Sequence, residues 1–469
     1  MSDCLPHPAS YRDPSGFVFR SEGLWYRQVN TRYTEDYRYL MDSGLYELLT
    51  RKQLLISHAE VDRNLTGSAD YYRTLLPQQL SFISYPTEWS PAQLKEAALL
   101  TLTILSLSID KGMILKDATP LNVQFRGGKA LFIDSLSFER YDPSRSWIAY
   151  RQFCECFLFP LYLHHYHRQG VHKTLIAYPE GIPARTTLSL LPLRSRLRLG
   201  VWLHVFLPAR IRRDRRNADD AGKPPAFDQK KMHLLADNLK SILQRLGDES
   251  RNPTEWSDYY RETILSPAYL QEKEKLFREM IGGIGFASAL DLGANDGHFS
   301  KILAEKKAVV IAADSDWACV EALFRWTRQG GGAPQAEGTI YPLVVDIADP
   351  TPASGWFHAE RSSFTQRVQS DLVTALALVH HLVLGRNIPL PMIAGYFAAL
   401  TRSYLIIEFV PSSDEKALEI TRNKPVGHTP YDPSWFEHQF GRYFTIERRS
   451  VIPGTERILY LMKKNEASP

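Results

Sequence analysis

The run Ala289-Leu290-Asp291-Leu292-Gly293-Ala294-Asn295-Asp296-Gly297-His298 is the part of this sequence best equipped for chemistry. An apolar strand ends in an acid, and small residues follow that let the backbone turn tightly toward a ligand. A second apolar run, Ala308 to Ala313, ends at Asp314, and a third, Pro342 to Val345, ends at Asp346. Acids at the ends of successive parallel strands face the crevice where open α/β sheets bind ligands. At the second strand a carboxylate can take both hydroxyls of a ribose, with Asp316 as the nearby alternative to Asp314. At the third, Asp346 can accept an adenine amino group. The pattern Asp-x-Gly-x-Asn-x-Gly lacks the third glycine of a pyrophosphate-binding turn, so it suits a nucleoside without phosphates. Gly293 and Gly297 would let the loop approach the ligand without a Cβ. Asn295 can cap the next helix and touch the ligand. Asp291 can order the loop or accept hydrogen bonds from a ligand ammonium.

A second constellation lies earlier. Asp117-x4-Asn122, a hairpin around Gly127-Gly128, and then Asp134 follow the order of a kinase catalytic loop and its metal-binding acid. There the first Asp handles the acceptor hydroxyl, and the Asn and second Asp hold magnesium. The departures are plain. Leu115-Lys116-Asp117 stands for His-Arg-Asp and Asp134-Ser135-Leu136 for Asp-Phe-Gly, and no Gly-rich loop or early Val-Ala-x-Lys precedes them. Arg27 is the stand-in for the lysine and Glu47 for its partner.

These residues need elements to position them. A chain of 469 residues exceeds one hydrophobic core. Three zones are expected: residues 1–185, an α+β domain of kinase-like order with degenerate motifs; 186–250, a basic helical and linker segment; and 251–469, an α/β domain. In the first zone, strands are expected at Gly16–Phe19, Leu24–Val29, Leu80–Tyr85, Val123–Phe125 and Ala130–Ile133. Helices are expected over Asp36–Glu60 and over Pro91–Ser108, the latter with Ser90 as N-cap. In the third zone, helix Thr254–Met280 leads into strands Ala287–Leu292, Ala308–Ala313, Tyr341–Val345, Asp371–Leu378, Ser403–Phe409, Phe444–Glu447 and Arg457–Met462. Helices follow the first five.

Nine arginines face one acid, Asp214, between Arg185 and Arg216, with apolar residues interleaved. The stretch 194–216 can lie on an anionic membrane surface, bind a phosphorylated acceptor, touch RNA, or form the solvated edge of a helix packed between domains. No recognition module accompanies the charge, and the net charge of +4 is small for this length, so nucleic acid is disfavoured. The residues from Ala218 to Phe227 read as an exposed loop and Lys231 to Leu246 as a helix. No run reaches the roughly 18 consecutive apolar residues of a membrane span. Phe157 to Leu163 is short and interrupted by Pro160, which marks a core helix. Cys154-x-Cys156 is not a zinc spacing, and no second cysteine pair completes one, so no metal is expected. Four cysteines in a chain this long, without a signal-type N-terminus, suit a reducing, cytoplasmic setting.

The third zone resembles the class I S-adenosylmethionine-dependent methyltransferases, with their seven-stranded Rossmann-like sheet. The whole chain is similar to the family around the nodulation protein NoeA. Shared phrases are Ser84 to Trp89, Leu115 to Asn122, Phe132-Ile133-Asp134, Tyr150 to Cys154, the Asp291 loop, Leu376 to His381 and Ile407 to Pro411. The resemblance implies S-adenosylmethionine as cofactor and methyl transfer to an unidentified small-molecule, glycan or lipid-linked acceptor. Transfer from a sulfonium asks mainly for alignment and a deprotonated acceptor. His380 or His381, past the fourth strand, can be a general base because imidazole titrates near neutral pH, or can cap and pack. Glu408, ending the fifth strand, can bind the acceptor or pair with an arginine. For Asp414 the pairing is favoured. Trp356 can cover the adenine or fill the core. The competing reading is a kinase-like phosphotransferase or nucleotide-binding module beside a non-catalytic methyltransferase-like domain.

Overall fold

A computed structural model describes residues 4, 6–210, 227–246, 267–331, 339–422 and 430–466. By backbone contacts the chain divides into two units. One is Met1–Arg251 with Ser354–Arg361, and the other is Asn252–Ala353 with Ser362–Pro469. The described residues of the basic segment, 186–210 and 227–246, fall in the first unit. Arg212 to Arg216, most of the Ala218–Phe227 loop and the start of the expected helix from Thr254 lie outside the described residues.

In the first unit, β1 (Gly16–Ser21) and β2 (Leu24–Asn30) form a hairpin. Its two turn residues, Glu22 (φ 49°) and Gly23 (φ 82°), are both left-handed, which matches the twist of the flanking strands. With β3 (His58–Val61) and β4 (Tyr71–Pro77) they make an antiparallel sheet in the order β1-β2-β4-β3. The single helix expected over Asp36–Glu60 is two, Thr34–Asp42 and Leu45–Arg51, broken where Gly44 turns left-handed. Its expected last residues instead enter β3. The strand expected at Leu80–Tyr85 is also corrected, because the ladder is made by Tyr71–Pro77. Ser84 instead has its backbone N–H and C=O both bonded by the buried Gln124 amide, at 2.9 and 2.9 Å. One side chain thus does there what a neighbouring strand would do.

Helix Pro91–Asp110 starts as expected, with Ser90 and Gln93 in a reciprocal capping box and Pro91 in the first turn. It is the one helix among the described residues long and apolar enough to cross a membrane, and 61% of its apolar window is buried. Helix Gln229–Arg245, capped by Asp228, packs on it. Strand β5 (Met113–Leu115) pairs with β8 (Phe138–Arg140). Between them β6 (Val123–Arg126) and β7 (Lys129–Phe132) form a hairpin on Gly127 and Gly128, both left-handed as a two-residue turn demands. The segment Tyr150–His167 is helical with Phe157 to Leu163 buried, as a core helix should be.

The second unit is one seven-stranded sheet. Its strands are β9 (Ser288–Leu292), β10 (Val309–Asp314), β11 (Thr339–Val344), β12 (Ser370–Ala375), β13 (Thr401–Phe409), β14 (Phe444–Val451) and β15 (Ile458–Lys464), in the order β11-β10-β9-β12-β13-β15-β14. The first five run parallel and β15 is antiparallel to both neighbours. All seven expected strands are present, with ends shifted by a few residues. Near-continuous burial of β9, β10 and β12 is what a parallel sheet covered on both faces requires. The strand order reverses between β9 and β12, and open sheets of this kind take ligands outside the carboxyl ends of their strands at such a reversal.

Candidate active site

The Asp291 loop is assembled by its own backbone. Gly293 (φ 72°) and Ala294 both donate to the Ala313 carbonyl, at 2.9 and 3.1 Å. Gly297 (φ 81°) starts helix His298–Ala304, where a Cβ would meet Leu323 at 2.4 Å, so this position is closed to other residues. At Gly293 a Cβ would lie 3.4 Å from Leu378, so the left-handed φ is what selects glycine there. Asp291 is buried. Its oxygens accept from Ser300 Oγ at 2.6 Å and Thr374 Oγ1 at 2.8 Å, which ties the loop to the helix and to β12. Of its two expected roles, the structure displays the ordering one. Asn295 is not the helix cap. Its Oδ1 accepts from the adjacent Asp296 N–H at 2.7 Å, and its own N–H donates to Asp314 Oδ2 at 2.8 Å.

Asp314, half-buried at the end of β10, accepts only backbone N–H groups among its recorded bonds: Asn295, and Asp316 at 2.8 Å. Burial pushes its carboxyl up to about 6, against those two bonds. Asp316 is a helix cap, accepting from Ala318 N at 2.8 Å. Asp346 accepts from Ala348 N at 3.0 Å and from Arg386 at 2.8 Å. One oxygen of the acid expected to meet an adenine amino group is thus held by a guanidinium.

The catalytic candidates divide. Glu408 is fully buried. Lys273 Nζ lies 2.6 Å from Oε2, Tyr269 donates to Oε1 at 2.6 Å, and Arg457 stands 3.6 Å away. Burial would raise its pKa, but the two cations hold it below the usual carboxylate range. Glu408 therefore supports the core and does not meet an acceptor. Asp414 takes the rest of Arg457 in a two-pronged pair at 2.8 and 2.8 Å, as expected. His380 and His381 sit side by side, with ring centres 4.2 Å apart. Burial first, then neighbouring cations, depress both: His380 well below 6.5 and His381 to about 4. The near-neutral titration expected of a histidine base is therefore absent, and both rings are neutral at physiological pH. His380 Nδ1 is buried without a hydrogen-bond partner. Just before them Ala377 adopts φ 50°, a conformation costly for a residue with a Cβ. A cleft of about 240 Å3 opens past β13, lined in part by Asp414, Lys416, Glu456 and Arg457. Trp356 neither fills a core nor belongs to the second unit; it is exposed, on the Ser354–Arg361 segment.

In the first unit Asp117, Asn122 and Asp134 do converge. Asn122 Nδ2 donates to Ser137 Oγ at 3.0 Å, and Ser137 donates to Asp134 Oδ2 at 2.8 Å. Arg27 makes an ion pair with Asp134, not with Glu47. Burial would raise Asp134, but the guanidinium and two further hydrogen bonds bring it below the ordinary range. Asp117 moves upward, through burial and then through the charge of Asp134. Lys116 is engaged by Asp13 at 3.3 Å and by Ser15 at 2.8 Å.

No protein-family model matches the chain. The nodulation protein NoeA of Rhizobium meliloti (strain 1021) is 29% identical over 472 residues, covering 97% of this chain and 96% of that protein. The chain is similar to NoeA from end to end. Among solved structures, the magnesium protoporphyrin IX methyltransferase ChlM from Synechocystis PCC 6803, with bound SAH, is 15% identical. It covers 45% of this chain and 93% of its own, with a TM-score of 0.32. The N-methyltransferase NodS from Bradyrhizobium japonicum WM9, in complex with S-adenosyl-L-homocysteine, is 12% identical, covers 46% and 95%, and has a TM-score of 0.32.

Sequence reasoning missed Tyr269, Lys273 and Arg457, which surround Glu408. Lys273 lies on helix Pro267–Gly282 among exposed charges, and nothing in its spacing sets it apart. The one usable signal was Glu408 itself, an acid inside an otherwise apolar strand, which must find cations when buried.

Proposed function

We propose that the second unit transfers a methyl group from S-adenosylmethionine to a small-molecule, glycan or lipid-linked acceptor. The observation that carries this reading is Asp314, a strand-end carboxylate that meets no cation among the described residues, beside a glycine loop at the reversal point of the sheet. Five parallel strands closed by an antiparallel pair, in the order β11-β10-β9-β12-β13-β15-β14, support the seven-stranded methyltransferase reading. The residues fit a nucleoside: an acid pushed up to about 6 gains from hydroxyl donors, and the left-handed φ of Gly293 turns the loop beside it. When bound, S-adenosylmethionine supplies an electrophilic methyl group on a sulfonium.

Each residue then has a limited task. Asp314 would take the ribose hydroxyls. Asp291, saturated by Ser300 and Thr374, fixes the loop from beneath. Asp346, paired with Arg386, would flank the base. The neutral, half-buried His381 can accept a hydrogen bond from the acceptor and orient it, but burial and nearby cations oppose its holding a proton, and the buried His380 packs beside it. The cleft beside Asp414 and Lys416 gives the acceptor its approach.

Calorimetry of the full chain with S-adenosylhomocysteine tests the cofactor. Binding by the wild type and none by a folded Gly293→Arg variant is expected. Labelled S-adenosylmethionine is then incubated with fractionated extract. If no fraction gains more label from wild type than from Gly293→Arg, methyl transfer is wrong.

A further inference from the structure

Between Ala184 and Arg210 the first unit carries five arginines and no acid. The segment is ordered as helix Ala184–Leu190, a 3-10 turn Leu193–Leu197 and a helical stretch Leu199–Arg210. Its inner side is anchored by Leu191, Val201, Val205 and Ala209, all buried. Its outer side is unusual. Leu190, Leu193, Leu197, Leu199 and Trp202, within thirteen residues of chain, are between 42 and 89% exposed. Single exposed leucines need no explanation, but five large apolar residues in so short a stretch do.

The charge beside them is of one sign. Arg185, Arg196 and Arg210 line an open hollow of about 380 Å3 together with Leu188, Ser189 and Ala209, with no acid in the lining among the described residues. Arg185 is held by the Ala209 carbonyl at 3.1 Å, and Arg210 lies over the Phe206 ring at 4.3 Å. Arg196 Nε is shielded from water and has no hydrogen-bond partner among the described residues. Arg194 and Arg198 are exposed between the leucines.

We propose that this surface docks the protein on an anionic membrane. The leucines and Trp202 enter the headgroup–acyl boundary, and the arginine hollow takes a lipid phosphate. Exposed leucines beside arginines match the two requirements of interfacial binding, apolar area and positive charge. RNA would satisfy the arginines and leave the leucines in water. The proposal does not depend on methyl transfer.

The test uses the full chain and sedimentation with vesicles of phosphatidylcholine alone or mixed with phosphatidylglycerol. Wild type should pellet with the mixed vesicles only, and raised salt should release it. A Leu193→Ser/Leu197→Ser/Leu199→Ser variant alters only exposed positions, and should lose at least about tenfold in partitioning while keeping its melting temperature. Arg194→Glu/Arg198→Glu should also reduce pelleting. Trp202 emission should shift to the blue on the mixed vesicles, a component absent in Trp202→Phe. The proposal is overturned if wild type stays in the supernatant, if the triple serine variant pellets as well as wild type, or if the surface binds RNA and no vesicle.

Discussion

Asp134 in the first unit and Asp314 in the second are built alike and end differently. Each follows an apolar strand, and each accepts the backbone N–H two residues on, at 3.0 Å from Leu136 and 2.8 Å from Asp316. Burial raises both. Asp134 then receives Arg27 and the Ser137 hydroxyl, and settles below the usual carboxylate range. Among the described residues Asp314 receives only a second backbone N–H, and it stays up at about 6. The first acid is already satisfied by its own chain, and a metal ion there would have to displace Arg27. The second keeps acceptor capacity for donors that a ligand brings. Similar strand-end acids in a sequence therefore do not imply similar readiness; the counter-charge decides, and it comes from elsewhere in the chain.

Glu408 is the extreme of the satisfied kind, and its removal should have the largest effect. Glu408→Ala strands Lys273, which is buried, so a loss of about 4 kcal/mol in stability is expected by denaturant unfolding. Adding Lys273→Met should restore much of it, because Arg457 still has Asp414. Equal loss in single and double variants would mean that packing, not charge, holds this core.

Arg27→Met probes Asp134 in the same way, with a smaller cost of about 2 kcal/mol at neutral pH because the pair is partly solvated. The sign with pH is set by linkage. In wild type the folded pKa lies below the unfolded value of 3.8, so this acid contributes stability above that value and loses it as pH falls through the folded one. Without Arg27, burial should raise the folded pKa above the unfolded one. The gap between wild type and variant should therefore open as pH rises through about 4. A gap independent of pH would remove the charge argument.

How much of this was legible depended on whether the cause was local. Strands β9, β10 and β12 of the second unit were readable because a parallel strand covered on both faces must be apolar along its length. The loop was readable because left-handed turns at 293 and 297 call for glycine. Helix Pro91–Asp110 announced itself through Ser90 and Gln93. What failed was partnership at long range. Ser84 looked like part of a strand because the Gln124 amide that satisfies it lies forty residues away. Arg386 cannot be foreseen on Asp346, nor Arg27 on Asp134, since an arginine carries no mark of its acid. The histidine pair misled for the same reason: the burial that depresses His381 to about 4 is a property of the fold.

The crossed experiment on the two strand-end acids is subtler. Asp314→Asn should weaken S-adenosylhomocysteine binding by about 2 kcal/mol, roughly thirtyfold, with little change in melting temperature, since it removes a half-buried charge that meets no cation among the described residues. Asp134→Asn should do the reverse, costing stability through Arg27 and leaving the ligand unaffected. If both variants lose ligand equally, the distinction between a satisfied and a receptive carboxylate fails.

The smallest effect is the most specific. Asp314 has a folded pKa of about 6 against an ordinary 3.8, so the unliganded protein retains this proton after the unfolded chain has lost it. Its contribution to stability is fully present below about 3.8 and is lost as pH rises to about 6. Ligand binding should run the other way, because ribose hydroxyls favour the ionised form. Affinity for S-adenosylhomocysteine should therefore hold above pH 6 and fall by up to about tenfold per pH unit below it, until the protonated acid's own weaker affinity sets a floor. In Asp314→Asn the profile should be flat across that range. A titration of affinity against pH on both proteins decides it: an inflection near 6 that survives in the variant would assign the proton to another group and leave Asp314 without its role.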